Sequence, residues 1–274
     1  MYPEDDIFSK QLREIPAFRA LLRSVEARMI MELEFPAPVL DFGCGDGHFG
    51  HISLRCFDAI GIDPSKSSLD EADVRKCYRA LVQADNQGLP FESGSFNSAL
   101  CNSVLEHISN VESALSEIRR VLNPGCKLVF TVPSELFRDF LAVKSILQKW
   151  RLYRLAEYYE IFFDKISRHK HYHTPAEWKV LLNNTGFAME SCTYYCSKTA
   201  LQAIELGHYF GLPSLLLRKL TGNWILSKRK KNLRLTDKIF RPHYEEKLPA
   251  HGAYMIIVAK HTGNKSNSVF NDPS

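Results

Sequence analysis

The chain has 274 residues, of which 45% are hydrophobic and 24% charged, with a formal net charge of +4. That balance provides for a packed core and excludes a disordered or collagen-like chain, and no apolar run approaches the ~20 residues of a membrane span. The charge is too small to point to nucleic acid by itself, and the start, Met1-Tyr2-Pro3-Glu4-Asp5-Asp6, has neither the basic nor the apolar region of a secretion signal, so a cytoplasmic protein is expected.

Apolar residues at helical spacing from Ile15 to Met29 predict an amphipathic helix over 15–33, ended by Pro36 and Pro38. Val39 to Phe42 then reads as a short buried strand that breaks into Gly43-Cys44-Gly45-Asp46-Gly47. Glycines at alternate positions allow left-handed backbone and close ligand approach, which marks a strand-to-helix turn built around a cofactor. A helix over Phe49–Cys56 and a strand Ala59–Ile62 ending in Asp63 complete a βαβ unit. A helix over 67–75, a strand near 81–84 and a loop from Asp85 to Phe91 follow.

Phe96 to Cys101 is a fourth strand ending in the polar Asn102-Ser103, and Asn110 can cap a helix running to Leu122. Lys127 to Pro133 is the fifth strand. Residues 134–173 interrupt the pattern and are rich in aromatic and basic side chains, as expected of a helical insertion. Thr174-Pro175-Ala176-Glu177 has the form of a capping box with proline at the first helical position. Strands at 187–195 and 254–259 could pair as an antiparallel hairpin, with a second insertion at 197–252 between them and a loose tail from His261 to Ser274. The alternation predicts an α/β doubly wound sheet. The organisation expected is an N-terminal helical segment (1–35), a cofactor-binding core (36–133), the helical insertion (134–173) and completion of the core (174–260).

The seven cysteines, at 44, 56, 77, 101, 126, 192 and 196, lack the paired spacing of a zinc site and read as reduced, mostly buried residues. No metal is expected. In the glycine turn itself, Gly43, Gly45, Gly47 and Gly50 depart from the dehydrogenase G-x-G-x-x-G spacing, and Asp46 would meet a pyrophosphate with like charge. An acidic turn with exposed amides better suits a ligand carrying both an ammonium and a carboxylate, such as S-adenosylmethionine.

Five motifs in order, V-L-D-F-G-C-G-D-G (39–47), G-I-D-P (61–64), A-D with L-P-F (84–91), S-V-L-E-H-I (103–108) and V-L-N-P-G (121–125), give the chain a family likeness. It resembles class I S-adenosylmethionine-dependent methyltransferases, nearest the small-molecule group that includes the ubiquinone-biosynthesis type, strongly over 36–133 and weakly over 174–195 and 253–260. The resemblance implies a Rossmann-like seven-stranded sheet with a C-terminal antiparallel hairpin. Asn97 and Cys126 depart from the family pattern at positions that read as structural.

Carried over by position, the resemblance implies that Gly43, Cys44 and Gly45 approach the methionine part of the cofactor and that Asp41 helps hold its ammonium. Asp63, followed by Pro64, would grip the ribose, Asp85 with Asn86 the adenine amino group, and Asn102 with Ser103 the cleft near the sulfonium. For Asp63 and Asp85 the competing role is capping of the turns that follow them. Methyl transfer needs a base only if the acceptor must lose a proton. The candidates are His169, His171 and His173, at alternate positions before the capped helix, and then His107; loop or helix-end packing is the other reading of each.

Between Leu206 and Thr236 there is no acid, while seven residues are Lys or Arg, interspersed with leucines and aromatics. A segment of this kind over 206–234 suits peripheral contact with an anionic membrane or a lid over the site, and both readings suggest a small lipophilic or glycolipid-like acceptor. RNA is the weaker option, since no RNA-binding module accompanies the basic and aromatic residues. A methyltransferase-like scaffold without turnover and a nicotinamide-dependent oxidoreductase are the alternatives from other classes.

Overall fold

A computed structural model describes residues 6–54, 58–85, 88–210, 218, 220–221 and 230–263. Its centre is a seven-stranded sheet in the order β3-β2-β1-β4-β5-β7-β6. The strands are β1 (Val39–Phe42), β2 (Ala59–Asp63), β3 (Ala80–Gln83), β4 (Phe96–Asn102), β5 (Leu122–Pro133), β6 (Phe187–Tyr195) and β7 (Tyr254–His261). The first five run parallel, and β7 inserts antiparallel between β5 and β6. This is the doubly wound sheet expected, with the C-terminal strands paired as the sequence indicated. The order reverses between β1 and β4, which opens a crevice at the carboxyl ends of the strands.

Ten helices are described. They are α1 (Ile7–Gln11), α2 (Ala17–Ile30), α3 (His48–Ser53), α4 (Lys66–Arg75), α5 (Val111–Val121), α6 (Ala142–Lys149), α7 (Tyr153–Ser167), α8 (Pro175–Asn184), α9 (Lys198–Phe210) and α10 (Lys230–Tyr244). Apolar residues on both faces of the central strands form two cores. One packs α1, α2 and α9 against Leu100, Val129 and Tyr254, and the other packs α5 and α8 against Leu40, Phe130 and Ile257. Helix α5 buries Val111, Ala114, Leu115, Ile118 and Val121 along one face, and its Asn110 cap accepts from the Ser113 amide at 3.0 Å. Helix α8 starts with the complete capping box anticipated, Thr174 and Glu177 satisfying each other's amides.

Several boundaries move. The helix expected over 15–33 is α2, shortened to 17–30 with Pro16 at its N-cap, and the short helix α1 precedes it. Strand β5 starts at Leu122, earlier than Lys127, because Leu122 pairs with Phe96 across an irregularity in the ladder. The tail starts later than His261, which closes β7 opposite Phe187. The departures at Asn97 and Cys126 are structural in effect: Asn97 donates to the Ala37 carbonyl at 2.6 Å and accepts from Asn123, and Cys126 is half-buried in β5. Cys56, Asn86 and most of the 206–234 segment lie outside the described residues. No described helix is long and apolar enough to cross a membrane.

Candidate active site

The glycine turn after β1 is left-handed at Gly43, Gly45 and Gly47, with φ of 78°, 55° and 69°. A Cβ on Gly43 would lie 2.5 Å from a Val104 methyl, so only glycine lets the turn pass beneath Val104. A Cβ on Gly45 would meet nothing within 4 Å, because this residue faces the open crevice. The turn is braced from β2: the Gly43 and Cys44 amides both donate to the Ile62 carbonyl at 2.9 Å, and the Gly45 amide donates to Asp63 Oδ2 at 3.0 Å.

Asp41, the last acid of β1, is buried, and its Oδ2 accepts from the Tyr78 hydroxyl at 2.5 Å. Burial pushes its carboxyl up to about 6, against the pull of the Tyr78 hydrogen bond and with the help of the nearby Asp63 charge. Gly50 makes this contact possible, since a Cβ there would sit 2.0 Å from the Tyr78 hydroxyl. Tyr78 carries no local sequence signal, and its role emerges only from the fold.

A cavity of about 330 Å³ opens beside the turn, within the ~300–1,000 Å³ range of small-molecule sites. Asp41, Gly43, Cys44, Gly45, Asn102 and Ser103 line it, which brings six of the expected cofactor residues together. The opposite wall was not anticipated: α2 contributes Arg19 and Arg23, and Arg218 adds a third guanidinium, paired with Glu71 at 2.6 Å. Asp46, His48, Phe49 and Ser68 complete the lining.

Glu26 holds that wall in place. Its fully buried carboxylate accepts from Arg23 Nη1 at 2.7 Å, Tyr195 Oη at 2.9 Å, Asn102 Nδ2 at 3.1 Å and Ser103 Oγ at 3.2 Å. Arg23 also donates to Ser103 Oγ at 2.9 Å, and its guanidinium lies 5.7 Å from the Phe49 ring centre. Ser103 itself is left-handed, φ 55°, its amide bonded to Thr131 Oγ1. An acid within the buried face of α2, between Val25 and Ala27, is the one sequence signal that could have flagged Glu26.

Of the remaining expected cofactor residues, those that are described, Asp63, Pro64 and Asp85, are not part of this cavity's lining. Asp63 ends β2, where its two oxygens take the amides of Gly45 and Ser65, so it does brace turns as the competing reading held. The Pro64 carbonyl accepts from Gln83 at 3.0 Å, and Asp85 follows β3.

None of the four histidines lines the cavity. The backbone between α7 and α8 is irregular, and the three histidines divide into two places, His171 with His173 and His169 with His107. His171 Nε2 bonds the Ile108 carbonyl at 2.7 Å and its ring stacks on His173, whose ring meets Trp178 edge-on. His169 stacks at 5.5 Å on His107, meets Phe137 edge-on and bonds the Tyr172 hydroxyl at 3.2 Å. Burial, with His107 and Arg138 beside it, pushes His169 down to about 3, so its imidazole is neutral. His107 Nδ1 bonds the Arg168 carbonyl at 2.9 Å. Next to it, Glu106 is 2% exposed with one carboxyl oxygen unpartnered, and burial pushes it up to about 8. Among the described residues no group of three His, Cys, Asp or Glu side chains is placed to hold a metal.

A glycine turn, an acid at its root and a polar crevice at the switch point of this sheet define a nucleotide-cofactor enzyme of the Rossmann-like class. The chain belongs to the methyltransferase domain family, whose model matches residues 13–191, within the class I S-adenosylmethionine-dependent methyltransferases. A malonyl-[acyl-carrier protein] O-methyltransferase of Legionella pneumophila is 27% identical over 154 residues, 52% of this chain and 54% of that protein. The chain thus spans about half the length of that curated relative. A Thermotoga maritima S-adenosylmethionine-dependent methyltransferase, described as a possible histamine N-methyltransferase, shares the fold with a TM-score of 0.56 at 16% identity, over 89% of this chain and 91% of that one. The geranyl diphosphate C-methyltransferase of Streptomyces coelicolor, solved with S-adenosyl-L-homocysteine, shares it with a TM-score of 0.53 at 16% identity, over 88% and 77%.

Proposed function

We propose that the protein transfers the methyl group of S-adenosylmethionine to a small lipophilic or glycolipid-like acceptor. The observation that carries the donor half of this reading is the pairing of opposite charges across one cavity, the Asp41 carboxylate on the turn side and the Arg19 and Arg23 guanidiniums on the α2 side. A zwitterionic amino-acid end needs both, and the open space in front of Gly45 leaves room for it. Asp41 would accept from the ammonium, and the α2 arginines would meet the carboxylate. Asp63 keeps lone pairs for ribose hydroxyls beyond its two amide contacts, and Asp85 stands at the end of the next strand for the adenine amino group.

The donor supplies a methyl on a sulfonium, whose leaving thioether is neutral. The chain therefore has no leaving group to protonate, and Asn102, Ser103 and the Arg23–Glu26 pair act by holding the crevice in one geometry. If the acceptor must lose a proton, a neutral imidazole is needed within reach. Burial lowers both His169 and His107, stacked on one another, and so favours the neutral imidazole that could accept a proton. Support for a lipophilic acceptor comes from the sequence of 206–234, where leucines and aromatics accompany seven Lys or Arg and no acid.

Incubating the protein with isotopically labelled S-adenosylmethionine and cell extract, split into lipid and aqueous fractions, tests this directly. Label in the lipid fraction supports it, and label confined to the aqueous fraction removes the lipophilic acceptor. Calorimetry without any donor binding removes methyl transfer altogether.

A further inference from the structure

Helices α6 and α7 form a hairpin whose inner side is well anchored. Ala156 and Phe163 are buried, the Tyr159 hydroxyl bonds Glu205 and Tyr209, and Arg138 reaches Asp164 at 2.5 Å and Glu160 at 3.4 Å. Lys144 adds a 2.6 Å contact to Glu160, so both of these acids are turned inward and neutralised. The outer side is of opposite character. Leu155, Tyr158, Phe162 and Ile166 recur at helical spacing along α7 and are all exposed, Tyr158 by 70%, with Trp150 equally exposed at the tip of the hairpin.

Exposed single apolar residues need no explanation, but a continuous stripe of them on one helix face does. The charges that share this surface are Lys149, Arg151, Arg154 and Lys165, none of which enters a described ion pair, against the single acid Glu157. Trp and Tyr at the rim, aliphatic residues in the middle and long cationic side chains around them match the polarity profile of a bilayer interface. A second copy of this chain fits less well, because a two-fold contact would set the same unpaired cations against each other.

We infer that the outward face of the α6–α7 hairpin docks on an anionic phospholipid surface, with Trp150, Tyr158 and Phe162 entering the headgroup region and Arg151, Arg154 and Lys165 meeting lipid phosphates. The hairpin is well placed to serve the candidate site. Its Phe163 ring contacts His208, which stacks at 4.0 Å on Phe18 of α2, the residue before Arg19 in the cavity wall. The link to a lipophilic acceptor rests on the methyl-transfer reading, but the docking itself does not.

The test is co-sedimentation of the full chain with vesicles of phosphatidylcholine alone and of phosphatidylcholine mixed equally with phosphatidylglycerol. Binding is expected to the anionic vesicles, to weaken with added salt, and to fall about thirtyfold in an Arg151→Ala/Arg154→Ala variant. Tyr158→Ser/Phe162→Ser is expected to lose binding as well, without a change in melting temperature, since both side chains are exposed. No binding to anionic vesicles, or binding equal in all variants, overturns the proposal. So does a concentration-dependent dimer that these substitutions dissolve in place of vesicle binding. S-adenosylmethionine calorimetry on the same samples keeps a failure of docking separate from a failure of the methyl-transfer reading.

Discussion

Asn102 donates from Nδ2 to Glu26 at 3.1 Å, and this one bond ties the carboxyl end of β4 to a helix that precedes the whole sheet in sequence. The same carboxylate takes Tyr195 from β6 and Arg23 from its own helix, so three distant parts of the chain converge on a fully buried acid. Removing it would leave a cation and several donors without an acceptor. Glu26→Ala is expected to cost about 3–5 kcal/mol, the range for breaking a buried ion pair. Glu26→Gln should cost less, because its carbonyl can still accept from Asn102 or Tyr195. Urea unfolding measures both, and a midpoint unchanged in Glu26→Ala would refute the role given to this residue.

The glycine turn makes a prediction with a built-in rescue. Gly43→Ala places a methyl against Val104 at a positive φ, combining a steric clash with backbone strain of roughly 1–2 kcal/mol. Donor binding is expected to disappear in calorimetry. Val104→Ala in the same chain removes the clashing methyls, so the double variant should recover part of the affinity and of the melting temperature. Gly45→Ala has no neighbour to clash with, and its effect should fall on donor binding far more than on stability. If the double variant behaves like Gly43→Ala alone, the contact with Val104 is not what excludes a side chain.

What the sequence revealed is what the chain writes locally. The β1 turn, the acid at the end of β2, the Asn110 cap and the Thr174 capping box each lie within a few residues, and each stands where the pattern put it. Arg19, Arg23, Glu26 and Tyr78 were not legible, because each acts on residues that only the tertiary fold brings near. Tyr78 reaches Asp41 across 37 positions, and Tyr195 reaches Glu26 across 169. The surroundings of His169, His171 and His173 were not legible for a related reason: 169–173 is neither strand nor helix and follows a left-handed Arg168, so spacing alone does not set where their side chains go.

Asp41 should make donor binding depend on pH. Its folded-state value of about 6 means the carboxylate that would meet the ammonium forms only as pH rises through that point. Affinity for S-adenosylmethionine is therefore expected to rise between roughly pH 5 and pH 7 and then level off. Tyr78→Phe removes the hydrogen bond that holds the value down, and the midpoint should move upward. For stability the sign is opposite, since a raised carboxyl favours the folded state below 3.8 and loses that contribution as pH climbs through about 6. Calorimetry at several pH values checks the first effect; a flat profile would mean that Asp41 is ionised throughout or does not face the ammonium.

Glu106 can be isolated from the other titrating groups by comparison with a variant that cannot ionise, because the shared groups titrate alike in both proteins. Five histidines, His107, His169, His173, His208 and His261, are pushed below their ordinary value of 6.5 by desolvation, so they favour folding as pH rises and level off only about one pH unit above it, once the unfolded histidines have lost their protons. Asp41, at about 6, completes its ionisation in the lower part of the same range. Glu106, raised from 4.5 to about 8 by burial, is the other acid of this kind, and its ionisation should erode stability between about pH 6.5 and pH 8 by roughly 1–2 kcal/mol. Glu106→Gln cannot ionise, and its amide occupies the same volume beside the unpartnered oxygen position. The variant is expected to lose the downward slope over that window, whatever its stability at lower pH, where a new amide donor without an acceptor costs about 1–3 kcal/mol. Denaturant midpoints across the window decide it, and parallel profiles for the two proteins would place the titrating group elsewhere.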